Sequence, residues 1–315
     1  MLEDPIKTDA GYVSGTTMGQ PGKEVRVYRG IPYAAPPIGD LRWKPPQAVE
    51  PWQGTKECVA FKESPVQLDT GFVPGPKSED SLYLNVLTPA RSEKERLPVM
   101  VWFHGGGYSI GAGNQILYNT QFLPQHGAVL VTVNHRLGPI GLLALPALSK
   151  ESPDGVSGNY LFLDLIASMQ WVQKNIAGFG GDPENVTIFG ESGGGAKADA
   201  LMASPMAKNL FHRAICQSGT NGPMQVTTLA EAEAIGEKLA AKVGVAPNDL
   251  VALRAVPAAQ LFDAALALTQ ELRGAASAAG GSITDRMVVD GRFMPRPPWK
   301  CSRKASRTMS PSSSS

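Results

Sequence analysis

A chain of 315 residues, 43% hydrophobic and only 18% charged, has the apolar content to bury one large core, or at most two ordinary ones. Its 29 basic and 28 acidic residues leave a net charge of +1 and are spread along the chain, which excludes an electrostatic footprint for nucleic acid or an anionic membrane. Met1 is followed by Leu-Glu-Asp-Pro-Ile-Lys, without the basic start and apolar core of a secretory signal, and no apolar run reaches transmembrane length, so a cytoplasmic location is expected. The widely spaced Cys58, Cys216 and Cys301 fit reduced thiols rather than a disulfide framework or a zinc site.

The first hundred residues carry Gly-Pro punctuation around short apolar runs, as in Arg29-Gly30-Ile31-Pro32-Tyr33 and Pro36-Pro37-Ile38-Gly39, and predict short strands joined by loops with few helices. Strands follow at Leu82 to Leu87, Pro98 to Phe103 and Val129 to Asn134, the last two nearly continuously apolar, as suits a sheet covered on both faces. Leu165, Ile166, Met169, Val172 and Ile176 recur at helical spacing ahead of Gly178, Gly180 and Gly181, which predicts an amphipathic helix ending at the glycines. Val186 to Phe189 is a buried strand running into Gly190, and Gly193 to Met202 continues as a helix. Arg213 to Gln217 is one more strand. Leu229 to Val243, Asp249 to Val256 and Ala258 to Leu272 are Ala-rich helices expected to form a cap beside the sheet. From Trp299 to Ser315 the pattern dissolves, and 299–315 is expected to be a disordered tail.

Two glycine motifs carry chemistry. Gly190-Glu191-Ser192-Gly193-Gly194 matches Gly-x-Ser-x-Gly between a strand and a helix, the context of a nucleophile elbow. Glycines on either side let strand and helix approach closely, while the tight turn holds the serine hydroxyl at a helix N-terminus. A phosphate loop would require a following Gly-Lys-Ser/Thr, which is missing. His104-Gly105-Gly106-Gly107-Tyr108 follows a strand of the same sheet, and its successive glycines can aim backbone N–H groups at one point, as an oxyanion hole needs.

With these motifs the sequence resembles the type-B carboxylesterase family, which includes cholinesterases and bacterial para-nitrobenzyl esterases. The most specific stretch runs from Gly158-Asn159-Tyr160 through Leu163-Asp164, Trp171-Val172-Gln173 and Phe179-Gly180-Gly181-Asp182-Pro183 to Asn185-Val186-Thr187 and the elbow. Further matches are Gly30-Ile31-Pro32-Tyr33, Leu41-Arg42-Trp43, Ser78-Glu79-Asp80, Asn134-His135-Arg136-Leu137-Gly138 and Gln217-Ser218-Gly219. The resemblance implies an α/β-hydrolase fold, with a mostly parallel central sheet and helices on both faces, of which residues 1–298 are the N-terminal part. It implies hydrolysis of a small carboxylic ester with no metal or cofactor. Ser192 would be the nucleophile, the N–H groups of Gly106, Gly107 and Gly193 the oxyanion donors, and Glu191 and Ser218 supporting neighbours. Ion pairs Arg42–Glu79 and Arg136–Asp164 are implied behind the site.

Some family features have no counterpart. No cysteine occurs at Pro65 or within Ser78-Glu79-Asp80-Ser81, so the disulfide common in the family is absent, and the tryptophan-free loop 67–77 argues against choline. In this fold the triad runs nucleophile, acid, histidine along the chain. Only His212 follows Ser192, and it fits a structural motif, so the triad acid and histidine are not found in this chain. Cys301 to Pro311 has the sequence a shifted frame gives for Val-Phe-Ala-Lys-Gly-Lys-Gln-Asn-Asp-Val-Pro, so the tail is expected to be frameshifted and the sheet's last strands lost. The rival expectation is a non-catalytic fragment or pseudoenzyme that keeps the pocket but cannot turn over.

Overall fold

The computed structural model describes residues 2–222, 225–273 and 282–301. The first hundred residues make only short strands and 3-10 turns: β1 (Ile6–Lys7), β2 (Tyr12–Ser14), β3 (Thr16–Met18), β4 (Val25–Pro32), β5 (Thr55–Glu57), β6 (Ser64–Pro65), β7 (Lys77–Ser78), β8 (Tyr83–Thr88) and β9 (Leu97–Phe103). Four of these, β3, β4, β8 and β9, join β10 (Val129–Val133), β11 (Gly181–Glu191) and β12 (Arg213–Gln217) in a seven-stranded sheet in the order β12-β11-β9-β10-β8-β4-β3, while β1, β2 and β5 form a separate three-stranded sheet and β6 pairs with β7.

The four strands from β12 to β10 run parallel, and the pairs β10–β8, β8–β4 and β4–β3 are antiparallel. The sheet is therefore mixed, its parallel character confined to the half that carries the site. Parallel neighbours need a long crossover, usually helical, and the chain ahead of β9 has no helix to supply one. All five residues of β10 are buried although successive side chains point to opposite faces, so both faces are covered there.

The helices are α1 (Gly138–Leu142), α2 (Pro146–Glu151), α3 (Tyr160–Asn175), α4 (Gly193–Ala203), α5 (Leu229–Lys242), α6 (Leu250–Ala255), α7 (Ala258–Arg273) and α8 (Pro298–Cys301). Leu165, Met169 and Val172 of α3 are fully buried against the sheet core, as their spacing predicts. The Ala-rich α5 and α7 pack on each other, and α7 reaches α1. α5 starts with a capping box in which the Thr228 hydroxyl accepts from Glu231 N–H and the Glu231 carboxylate accepts from Thr228 N–H. Both expected ion pairs form. Arg42 Nε donates to Glu79 Oε2 at 2.7 Å while its NH1 donates to the Val256 carbonyl at 2.6 Å, fixing the end of α6 to the N-terminal segment. Arg136 and Asp164 meet through both guanidinium and backbone, with Nε–Oδ2 at 2.8 Å and NH2–Oδ1 at 2.6 Å, and both side chains are almost wholly buried.

Two further strands, β13 (Val226–Thr228) and β14 (Met287–Val289), pair in parallel. Asn159, just ahead of α3, grips β14 like a strand neighbour: its Nδ2 donates to Val288 O at 2.8 Å and its Oδ1 accepts from Val288 N at 2.9 Å. Residues 299–301, expected to open the tail, are helical. Trp299 and Lys300 stand in α8, where Pro298 presets the first helical φ, Lys300 N–H bonds the Pro297 carbonyl and the turn packs on α4. Residues 302–315, on which the disorder and frameshift expectations fall, lie outside the described residues.

Candidate active site

β11 ends at Glu191 and α4 begins at Gly193, leaving Ser192 alone to make the turn with φ +54° and ψ −119°. A non-glycine residue held at positive φ is strained, and that strain lasts only where the surroundings enforce it. They do so here by backbone proximity. A Cβ on Gly190 would lie 2.5 Å from the Gly194 carbonyl carbon and 2.6 Å from the Phe103 carbonyl oxygen, and one on Gly194 would collide with the same Phe103 oxygen. Ser192 N–H donates to Gln217 O at 2.8 Å, tying the turn to the end of β12. Ser192 itself is exposed, at the first turn of α4.

The glycine loop after β9 comes to this turn. Gly106 and Gly107 have φ of +87° and +62°, and the Gly106 carbonyl accepts from Ile110 N–H at 3.2 Å, which curls the loop over itself. A Cβ on Gly193 would lie 2.5 Å from both N and Cα of Gly107, so the two backbones are in direct contact. The N–H of Gly193, as the first helical residue, has no partner within its helix. Ser192, Gly106, Gly107 and Gly193 all line one cleft of about 720 Å³, together with Ser218, which has φ +51°. Glu191 is not in that lining; its carboxylate lies beside Gly105, where a Cβ would approach Oε2 at 3.3 Å.

Beneath the loop is a buried cationic floor that the sequence reading missed. Lys197, one turn into α4 and fully buried, donates from Nζ to the His104 carbonyl at 2.8 Å. Burial pulls its pKa down to about 7. The His104 and His135 rings stack at 4.6 Å, with their Nδ1–H groups donated to the carbonyls of Gly105 and Arg136. Burial first, and the Lys197 charge second, hold both imidazoles well below their ordinary pKa. A lysine among Gly and Ala on a helix meant to pack against a sheet was the available signal.

No histidine lines the cleft among the described residues. His104 and His135 are sealed in the floor. His212 is excluded as the base by strand geometry: its Nδ1 accepts from Val186 N–H at 3.2 Å, at the far end of the β11–β12 ladder. Six residues of strand at about 3.3 Å each separate Val186 from Ser192, or roughly 20 Å. The cleft does contain one unanticipated charge, Asp285. Burial raises its carboxyl pKa, opposed by hydroxyl bonds from Ser109 and Thr284.

A strained serine between a strand and a helix, facing a glycine loop, is the geometry of a serine-hydrolase elbow, and a family model described as the carboxylesterase family matches residues 3–312. The chain belongs to the carboxylesterase family. It is 46% identical over 252 residues to fumonisin B1 esterase of Sphingopyxis macrogoltabida, covering 79% of this chain and 45% of that protein. It is 39% identical over 271 residues to para-nitrobenzyl esterase of Bacillus subtilis strain 168, covering 84% and 53%. Among solved structures it superimposes on a thermophilic PNB esterase with a TM-score of 0.84 at 33% identity, covering 96% of this chain and 60% of that one. The carboxylesterase EST55 of Geobacillus stearothermophilus gives 0.81 at 34%, covering 96% and 59%. The fold is thus that of an α/β hydrolase, and the chain spans about half the length of the curated relatives it matches. No helix among the described residues is long and apolar enough to cross a membrane.

Proposed function

We propose that this chain carries the acylation half of a carboxylic ester hydrolase. Ser192 Oγ, giving its proton to a base that the described residues do not place in the cleft, attacks the ester carbonyl; the N–H groups of Gly106, Gly107 and Gly193 receive the oxyanion that develops, and the alcohol leaves with a proton as the acyl-serine forms. The observation that carries this is the enforced turn at Ser192, packed against the Gly107 backbone within one cleft. Donors so aimed typically supply about 3 kcal/mol each to a tetrahedral transition state. Glu191 and Ser218 flank the turn and help to hold its path. Free Cys58 and Cys216 support a reducing, cytoplasmic setting.

A second reading is favoured by the cleft's lack of a histidine among the described residues. Without a base Ser192 stays a neutral alcohol, and the oxyanion hole and binding alone leave about a thousandfold acceleration over water. The two are separated by exposing the chain and Ser192→Ala to a fluorophosphonate, then assaying para-nitrophenyl butyrate. Labelling at Ser192 and turnover are both expected to rise when a histidine-bearing C-terminal partner segment is supplied, and to stay low whatever is supplied if the chain is a non-catalytic fold. Labelling that persists in Ser192→Ala would overturn the assignment of the nucleophile.

A further inference from the structure

Asp285 is the one charged side chain among the described residues lining the cleft that holds Ser192. It is 9% exposed, and no ion pair neutralises it among those formed by the described residues. Its partners are hydroxyl groups. Oδ2 accepts from Ser109 Oγ and Oδ1 accepts from Thr284 Oγ1 at 2.7 Å. Behind Thr284 a short chain of hydroxyls continues, with Ser282 Oγ 2.8 Å from Thr284 Oγ1 and 2.9 Å from Thr269 Oγ1 on α7. Thr269 donates to the Ala265 carbonyl and Thr284 to the carboxylate, so the single Ser282 proton is left to serve one of its two hydroxyl neighbours at a time. Each carboxylate oxygen has two lone pairs and each receives one hydroxyl proton, which leaves acceptor capacity on both.

The position of this carboxylate is fixed from two sides. Ser109 lies two residues beyond Gly107, so at 3.8 Å per residue its Cα is within about 8 Å of the oxyanion loop. Asp285 itself lies two residues ahead of β14, which Asn159 and β13 clamp in place. Burying a carboxylate costs several kcal/mol unless it is paired or well bonded, and two hydroxyls supply only part of what a cation would. The rest of the lining is uncharged, so nothing there competes for an incoming cation.

From this geometry we infer that Asp285 is a specificity-determining residue that selects esters bearing a primary ammonium group, placed a few bonds from the scissile carbonyl. The inference rests on the esterase reading for its relation to Ser192, but the binding it asserts needs no turnover. An ammonium N–H would donate to the free lone pairs of Asp285, while the chain running back to the ester lies along Tyr108 and Phe262 in the same cleft.

The test compares two probes of equal length, hexylammonium and 1-hexanol, binding to the 315-residue chain at pH 7 by NMR titration. Hydrogen bonds to a charged group are worth about 10- to 100-fold in affinity, so the amine is expected to bind at least tenfold tighter than the alcohol, with shifts at Ser109 and Thr284. Asp285→Asn should bring the ratio to about one. Should that variant not fold, Gln270→Lys, an exposed position on α7 in the same lining, supplies an internal ammonium and should reduce the ratio likewise. Equal binding of the two probes by the native chain, or a preference undiminished in the variants, overturns the inference. Failure of fluorophosphonate labelling even with a histidine-bearing C-terminal segment supplied, with the amine preference intact, would instead refute the esterase reading and leave the cation subsite standing.

Discussion

β11 has a different neighbour on each side. On one side is β9, whose Val99, Val101 and Phe103 are fully buried and which delivers the glycine loop and the Lys197-bonded carbonyl of His104. On the other is β12, every residue of which is at least partly exposed, with Ile215 at 44%. Both strands pair with β11 in parallel, continuously from Val186 to Gly190 on the β9 side and from Thr187 to Glu191 on the β12 side, so the backbone ladder beside the elbow does not by itself make one side firm and the other open. Side-chain burial does. The elbow and oxyanion loop are built on the packed side, whereas β12 contributes the Gln217 carbonyl and Ser218 from a sheet edge among the described residues. The nucleophile can therefore be preformed while the outer flank of the cleft is open among the described residues.

The comparison can be broken most severely on the packed side. Gly194→Ala forces a methyl onto the Phe103 carbonyl oxygen, backbone against backbone, and should cost more than about 4 kcal/mol or abolish folding, read by urea denaturation. Arg136→Leu leaves the Asp164 carboxylate buried without its partner and should cost about 3–5 kcal/mol by the same assay; a loss below 1 would mean the pair is not buried in solution.

Lys197→Met sharpens the comparison through pH. The native-state pKa of Lys197, about 7, is depressed below its ordinary 10.5, so between those values the unfolded chain holds a proton that the folded chain does not. Stability from this group is therefore lowest at and below pH 7 and rises as pH climbs towards 10.5. The methionine variant should lack that rise. Measured as the difference between variant and parent unfolding free energies, its relative stability should fall across pH 7–10.5 by about 1.4 kcal/mol per unit of depression; a flat difference would mean that Lys197 is solvated. The smallest effect belongs to the open side. Ile215→Lys should change stability by no more than about 0.5 kcal/mol but raise soluble yield, because a charge on an exposed edge strand opposes edge-to-edge pairing.

Much of the packed side is legible in the sequence, because glycine spacing and continuous apolar runs encode it directly. Gly190 and Gly194 are required by the close approach their spacing implies, and Val129–Val133 is buried on both faces as its composition demands. Strand direction is less legible: Tyr83–Thr88 has the apolar content of a parallel strand but joins antiparallel neighbours, since only connection length distinguishes the two. Lys197 is marked in sequence only as a lysine among Gly and Ala, and Asp285 carries no local signal of its role. Their meaning comes from contacts 93 and 176 residues away, with His104 and Ser109, which periodicity cannot see. Similarly, the open side looks in sequence like any other short strand, because Arg213–Gln217 says nothing of what adjoins it.

The stacked His104 and His135 also mark the floor for chemical footprinting. Both rings are wholly buried, each has Nδ1–H engaged, and neither Nε2 has a hydrogen-bond partner among the described residues. His126 and His212 are exposed. Diethyl pyrocarbonate acylates an accessible neutral imidazole, so the folded chain should acquire two adducts quickly, at His126 and His212, and the other two only as the floor opens. The lag between the first and second pairs is then a clock for opening of the layer under Ser192, readable by mass spectrometry without substrate or turnover.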